Sequence, residues 1–196
     1  HVMQAATYLI RDDASTFHTY YMDVATGAPR YGNTQQGYAD DSCWSRGQAW
    51  GIYGFLLSYI YTGDETMIAL SKRLANYFLN RLPEDYVCHW DLALVGTDAL
   101  RDSSSAAIAV CGLLELVKHL PVTDPDRERY LEWAKGIMSS LTKHYLMGKE
   151  EKGNGLLKHS VYHLASNKGV DECASWGDYF YVEALVRFTQ SWKLYW

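Results

Sequence analysis

The sequence predicts an all-α protein whose helices are arranged as a two-layer toroid. Apolar residues at helical spacing, bounded by caps and breakers, indicate about five helices and the end of a sixth. Strand-like alternation is scarce. Helices that read as buried alternate along the chain with amphipathic helices, as a toroid of helix pairs requires, because inner helices touch neighbours on both sides and outer helices touch only the inner ring.

The first elements are a helix end and a long loop. Residues 1–10 read as the last turns of a helix with no cap ahead of it. Residues 12–44 are rich in Gly, Thr, Asp and Tyr, and a short hairpin is predicted near residues 16–27. Loops of this length inside a compact domain are usually functional, and the many aromatic residues argue against disorder.

The first predicted helix pair follows this loop. Residues 45–61 are apolar almost all round, so this helix is expected to be buried on most sides. Residues 65–82 are amphipathic and end before Pro83, which cannot continue a helix. We therefore expect an inner helix followed by an outer one.

The pattern then repeats. Residues 103–120 are small and apolar, with Asp102 or Ser103 as the expected N-cap, and are predicted to form another inner helix. Residues 124–147 are amphipathic and open with Asp124 as cap and Pro125 at the first helical position, which predicts an outer helix.

The last part of the chain is predicted to be an irregular span over residues 148–172 and an apolar, aromatic helix over residues 174–192. Only about half the helices of a closed ring of six pairs are then present. An open half-ring would expose an apolar seam, so we expect either a partner piece that completes it or a longer protein of which this is a fragment.

Composition limits the possible functions. The 196 residues carry a net charge of -5 with scattered lysines and arginines, which makes nucleic acid an unexpected partner. No apolar stretch is long enough to cross a bilayer, so no membrane partner is expected. The 7 Trp and 16 Tyr residues suit sugar binding or a large aromatic core equally well. The 4 cysteines have no metal-ligand spacing and are expected to be reduced and mostly buried.

The densest chemical signal surrounds the start of the first inner helix. Arg46 has a planar fork suited to a carboxylate, lies near the helix N-terminus, and has Trp50 one turn further on. The alternative from the residues alone is that Arg46 pairs internally with Asp40 or Asp41 and that Trp50 belongs to the core. Physical reasoning leaves both readings open.

The run GYADDSCWSRGQAWGIYGF over residues 37–55 resembles the signature of the unsaturated glucuronyl hydrolases, a family of glycoside hydrolases. Three further segments agree with this resemblance in the family's own order. They are TFHTYY at residues 16–21, RDSS at 101–104 leading into AAIA at 106–109, and NKGVDE at 167–172 followed by WGDYF at 176–180.

The resemblance implies an (α/α)6 barrel of six helix pairs, of which this chain supplies roughly the C-terminal half as a single domain over residues 1–196. It implies release of 4,5-unsaturated uronic acid from lyase-generated glycosaminoglycan or related oligosaccharides by hydration of a vinyl ether, with no metal and no organic cofactor. Unsaturated oligosaccharide and the missing N-terminal half of the barrel are the implied partners. The implied substrate-binding residues are His18, Gln36, Arg46 and Trp50.

The catalytic aspartate that the resemblance implies is expected upstream of His1, so no catalytic residue is assigned in this chain. Five aspartates of the chain have structural explanations that are favoured over a catalytic role; they are Asp40, Asp41, Asp91, Asp102 and Asp178.

Further candidates for substrate contact are the cluster His89, Trp90 and Asp91 and, with less support, Tyr162 and His163. The alternatives in other classes are a non-catalytic sugar-binding or structural half-barrel and a conventional (α/α)6 glycosidase with two carboxylates. The expected compartment is the cytoplasm, with the periplasm as the alternative.

Overall fold

The computed structural model describes residues 1–194 and is mostly helical, as the sequence predicts. Within that range it contains six α-helices and two short antiparallel hairpins. The elements are α1 (Val2–Tyr8), β1 (Thr19–Met22), β2 (Pro29–Asn33), α2 (Ser45–Thr62), α3 (Glu65–Leu79), α4 (Ser103–His119), α5 (Pro125–Ser140), a π-helical turn (Leu141–Tyr145), β3 (Ser160–His163), a 3-10 turn (Leu164–Ser166), β4 (Lys168–Glu172) and α6 (Ser175–Thr189).

The helix boundaries follow local chemistry. Asp102 caps α4 by accepting hydrogen bonds from the backbone N–H groups of Ser104 and Ser105, and Asp124 caps α5 ahead of Pro125. Both predicted caps are confirmed. Helix α2 ends at Gly63, whose φ of 70° is left-handed and favours glycine.

Helix α4 is the centre of the packing. It lies between α2 and α6, while α3 packs on α2 and α5 packs on α4. Gly112 permits the close approach of α4 to α2, because a Cβ there would lie 2.8 Å from Cγ2 of Ile52 and 3.1 Å from the backbone nitrogen of Tyr53. The result is a row of three helices with two more behind it, which matches the predicted alternation of buried and amphipathic helices.

The first hairpin, β1–β2, lies where the sequence predicts one. The second hairpin corrects the prediction that residues 148–172 are wholly irregular, because β3 and β4 pair antiparallel there. Its strands are short, and they are joined by a 3-10 turn that ends at Asn167 in the left-handed conformation. The segment therefore shows little of the alternation of apolar and polar residues by which strands are predicted. The last helix also ends earlier than predicted, at Thr189.

An exposed apolar stripe runs along α6. Its members recur at every third residue, and are Tyr179, Val182, Leu185 and Phe188. The sequence analysis expects an apolar seam on an open half-ring, and the assignment of this stripe to such a seam stays a prediction. Over residues 1–194, no helix has the length and apolar character needed to cross a membrane.

A buried ionic network joins α2, α4 and α6, and sequence reasoning missed it. Nη1 of Arg187 lies 2.7 Å from Oε1 of Glu115, and its Nε lies 2.8 Å from Oε1 of Glu183. The hydroxyl of Tyr53 donates to the same Glu183 oxygen at 2.7 Å. Burial raises the pKa of the Tyr53 phenol, so it stays a donor.

Candidate functional site

Arg46 lies in the first turn of α2 with only 4% of its surface exposed. Its Nη1 atom donates to Oδ2 of Asp102 at 3.0 Å and to the carbonyl oxygen of Val161 at 2.9 Å, and its Nη2 atom donates to the carbonyl oxygen of Tyr162 at 3.0 Å. The prediction that an internal partner would be Asp40 or Asp41 is wrong, because the partner is Asp102, which precedes a different helix.

Two indole rings flank the Arg46 guanidinium. Its Cζ atom lies 4.6 Å from the ring centroid of Trp44 and 5.2 Å from that of Trp176. Burial lowers the pKa of Arg46, and the carboxylate of Asp102 opposes this effect. The aromatic faces and the carboxylate together hold a cation where water is largely excluded.

Gln36 and His18 join this arrangement from the long loop and the first hairpin. Nε2 of Gln36 donates to the Tyr162 carbonyl oxygen at 2.6 Å, the same oxygen that accepts from Arg46. The backbone N–H groups of Gln35 and Gln36 donate to Nδ1 of His18 at 2.9 and 3.1 Å. Three predicted site residues therefore belong to one hydrogen-bonded cluster.

The hydrogen bonds to His18 define its tautomer. Because Nδ1 accepts two backbone N–H groups, the ring proton of the neutral form is on Nε2. Burial lowers the pKa of His18, and the charge of Arg46 and then His163 lower it further. His18 is consequently a neutral donor at neutral pH, with its ring centroid 4.5 Å from that of Trp44.

Trp50 lies one turn beyond Arg46 on α2, with 36% of its surface exposed. Its ring packs edge-on against Phe180, with centroids 5.1 Å apart. Together with His18 and Trp44, Trp50 lines a mainly apolar groove of about 440 Å³ between α1 and α2. Sugar-binding sites commonly combine a hydrogen-bond donor with aromatic rings beside one groove. The geometry is compatible with the predicted substrate-binding roles of these residues, which stay predictions.

The second predicted cluster has a structural explanation. His89, Trp90 and Asp91 are all buried, which argues against direct contact with a substrate. Asp91 accepts hydrogen bonds from the backbone of Tyr38 and the hydroxyl of Ser42, and it thereby fixes the loop that carries Gln36. In the described part of the chain, no group of three or more His, Cys, Asp or Glu side chains is arranged to hold a metal ion.

Tyr162 and His163 are more central than their sequence context suggests. The Tyr162 carbonyl accepts from two predicted site residues, and Nε2 of His163 lies 2.7 Å from the carbonyl oxygen of Gln35. No local pattern marks these contacts, which span 116, 126 and 128 residues of sequence.

This chain resembles curated proteins and solved structures along its whole length. No family model matches the chain. The chain is 51% identical over 197 aligned residues to an unsaturated chondroitin disaccharide hydrolase of Streptococcus pneumoniae, covering all of this chain and 50% of that protein. It is 39% identical over the same length to an unsaturated glucuronyl hydrolase of Bacillus sp., covering all of this chain and 52% of that protein.

Solved structures agree with the sequence comparison. The crystal structure of an unsaturated glucuronyl hydrolase from Streptococcus agalactiae superposes with a TM-score of 0.95 at 50% identity, over all of this chain and 50% of that chain. A mutant of the enzyme from the same organism, complexed with dGlcA-GalNAc6S, superposes with a TM-score of 0.90 at 50% identity, over all of this chain and 52% of that one. This chain spans about half the length of the curated relatives that it matches.

Proposed function

Because this chain is homologous along its whole length to unsaturated glucuronyl hydrolases, we propose that it is part of an enzyme that releases 4,5-unsaturated uronic acid from lyase-generated oligosaccharides. The observation that carries the proposal is the match at 50% identity over the whole chain to a hydrolase structure. The relatives named for chondroitin disaccharides favour a glycosaminoglycan substrate.

The proposed reaction is hydration of the vinyl ether in the unsaturated uronate. A proton adds at C4 of the double bond, water adds at C5, and the resulting hemiketal opens to release the linked sugar. The acid and base for these steps are expected from an aspartate upstream of His1. Asp91 and Asp102 are suited to structural roles instead, because both are fully buried and hydrogen-bonded to the backbone.

The residues of this chain are proposed to bind and orient the sugar. Nε2–H of His18 is a neutral donor for a hydroxyl or sulfate oxygen, and the exposed face of Trp50 suits a sugar ring. Gln36 is proposed to accept from the sugar through its side-chain carbonyl oxygen, since its amide nitrogen already donates to the Tyr162 carbonyl. Both Nη atoms of Arg46 already donate to protein groups. We therefore propose that Arg46 holds the residues of this surface in place and supplies a fixed positive charge beside it.

We propose that the whole fold is a single-domain (α/α)6 barrel to which this chain contributes the C-terminal half. The row α2, α4 and α6 with α3 and α5 behind it supports an inner and an outer layer. The apolar stripe of α6 and the half-length match to the relatives support a completing half of similar size. That half would cover the stripe and provide the catalytic aspartate.

The test follows the ultraviolet absorbance of the conjugated double bond in an unsaturated chondroitin disaccharide. Loss of absorbance with a chain extended upstream, and not with residues 1–196 alone, is the expected result. Loss with residues 1–196 alone would identify a catalyst among the aspartates of this chain. Binding without turnover by the extended chain would favour a sugar-binding half-barrel, and turnover of saturated glycosides would favour a conventional glycosidase.

A further inference from the structure

Helix α4 carries a buried carboxylate–arginine pair at each end. At its start, Oδ2 of Asp102 lies 3.0 Å from Nη1 of Arg46, and near its end, Oε1 of Glu115 lies 2.7 Å from Nη1 of Arg187. Both carboxylates have no exposed surface, and both arginine side chains are 4% exposed. The two pairs are similarly buried, but Arg187 has a second carboxylate partner in Glu183, and the two arginines hold different groups.

The two oxygens of Asp102 have separate tasks. Oδ1 accepts from the backbone N–H groups of Ser104 and Ser105 and caps α4, while Oδ2 accepts from Arg46 and from the Ser105 hydroxyl at 2.7 Å. An asparagine at this position can keep the cap through its carbonyl oxygen, because Asn and Asp are comparable N-caps. It would place either an uncharged acceptor or a repelling N–H₂ group opposite the guanidinium.

From Arg46 the contacts continue to the candidate sugar site. Arg46 and Gln36 both donate to the Tyr162 carbonyl, and the backbone N–H of Gln36 donates to His18. Arg46 and His163 are the charged or titratable groups that act on His18. The hydrogen bonds of the other pair take a different direction, since Arg187 donates to Glu183 and Tyr53 within the helix row.

We propose that Asp102 is a positioning residue of the substrate site, whose charge holds Arg46 against the Tyr162 carbonyl and thereby fixes Gln36 and His18. This inference rests on the proposed function only in identifying that surface as the sugar site. Asp102 itself touches no substrate, because it is completely buried behind Arg46. Removing the Asp102 carboxylate should therefore change the electrostatic environment of His18 and leave the catalytic groups themselves unchanged.

The test compares Asp102→Asn with Glu115→Gln, which removes an equally buried, arginine-paired carboxylate near the other end of the same helix. Both variants are made in the natural full-length protein labelled with 13C at Cε1 of histidine, and His18 is assigned among the 7 histidines of this chain with a His18→Gln variant. In Asp102→Asn, Arg46 loses its counter-charge and is expected to leave its buried position for water. The pKa of His18 should then rise towards its usual value, whereas Glu115→Gln should leave it unchanged.

An unchanged or lower pKa of His18 in Asp102→Asn would show that Arg46 stays in place without Asp102, and would overturn the proposal. The same shift in Glu115→Gln would overturn it as well. Because this readout needs no substrate, it is independent of whether the proposed hydrolase activity is found. If that activity is found, KM for the unsaturated disaccharide should rise about tenfold in Asp102→Asn with a smaller change in kcat, the size of one lost charge-assisted hydrogen bond.

A milder variant covers the case in which Asp102→Asn does not fold. Ser104→Ala removes a hydroxyl that accepts from Arg46 at 3.2 Å and donates to Asp102. It should shift the His18 pKa in the same direction by a smaller amount. Absence of any shift in a folded Ser104→Ala protein would count against the proposal.

Discussion

The side chain of Gln36 donates to the carbonyl oxygen of Tyr162 at 2.6 Å, a contact that joins the long loop to strand β3 across 126 residues of sequence. We expect Gln36→Leu to raise KM for an unsaturated disaccharide several-fold. The backbone N–H groups of Gln35 and Gln36 donate to His18, and the loop that carries them loses its hydrogen bond to Tyr162 in this variant. The free energy of unfolding should fall by about 1 kcal/mol, the net value of one such hydrogen bond. Michaelis constants and urea denaturation measure the two effects.

Gln48→Leu is the matched control for that variant. Gln48 is buried, and its Nε2 atom donates to the carbonyl oxygens of Ala14 and Leu74. Its replacement should cost about 2–3 kcal/mol of unfolding free energy by removing two buried hydrogen bonds, while KM stays unchanged. The interpretation of Gln36 would fail if both variants changed KM equally.

Arg46→Met should be among the most destabilising single changes in the chain. It leaves Asp102 as an uncompensated buried charge, and breaking such a pair typically costs about 3–5 kcal/mol. Arg129→Met removes an exposed pair with Asp126 at 2.8 Å and should cost less than about 1 kcal/mol. Denaturant midpoints of the two variants, analysed with a common slope, give the comparison. Equal midpoints would contradict the burial argument.

His18 makes stability depend on pH in a defined direction. Its folded-state pKa lies below the ordinary value of 6.5 because burial and Arg46 disfavour the charged ring. Its contribution is therefore fully present above pH 6.5 and is lost as the pH falls through the lowered pKa. His18→Gln should flatten this part of the stability curve relative to the wild type. His89, whose pKa burial also lowers, keeps its own contribution in both proteins. Parallel curves for the two proteins would refute the assignment.

Tyr53→Phe tests the ionic network between α2, α4 and α6. The Tyr53 hydroxyl contacts both Glu183 and Arg187, so its loss removes charge-assisted hydrogen bonds from a buried site and should cost about 2–3 kcal/mol. Tyr130→Phe removes a hydroxyl that donates to the neutral side chain of Asn76 at 2.9 Å, and should cost about 1 kcal/mol. Thermal unfolding of both variants distinguishes the charged from the neutral partner.

The parts of the fold that sequence reasoning predicted are those governed by local chemistry. The caps at Asp102 and Asp124 act within one helical turn, so a linear reading can find them. The end of α3 was placed less well, because the helix ends at Leu79 and not at the predicted residue 82. The partner of Arg46 could not be found in this way. Adjacent Asp40 and Asp41 were the obvious candidates, but the folded chain brings Asp102 from 56 residues away.

The same limit applies to the buried polar groups. Glu115 and Glu183 lie on helices that read as apolar, and only the packing of α4 against α6 shows that both surround Arg187. For the candidate site, the resemblance supplied His18, Gln36, Arg46 and Trp50, while the geometry adds the Tyr162 carbonyl that links the middle two. A backbone oxygen carries no sequence signature, so no pattern could have predicted it.

The β3–β4 hairpin has an irregular register between Ser160 and Val161, and the next two carbonyls, those of Val161 and Tyr162, both accept from Arg46. One guanidinium therefore holds two successive backbone carbonyls of β3. The hairpin is thus aligned from its open end by a distant helix. Its turn at Leu164–Ser166 lies at the other end of the hairpin from the Ser160–Glu172 pair, so Arg46 fixes where β3 lies and leaves the path of the turn to the contacts of the turn itself.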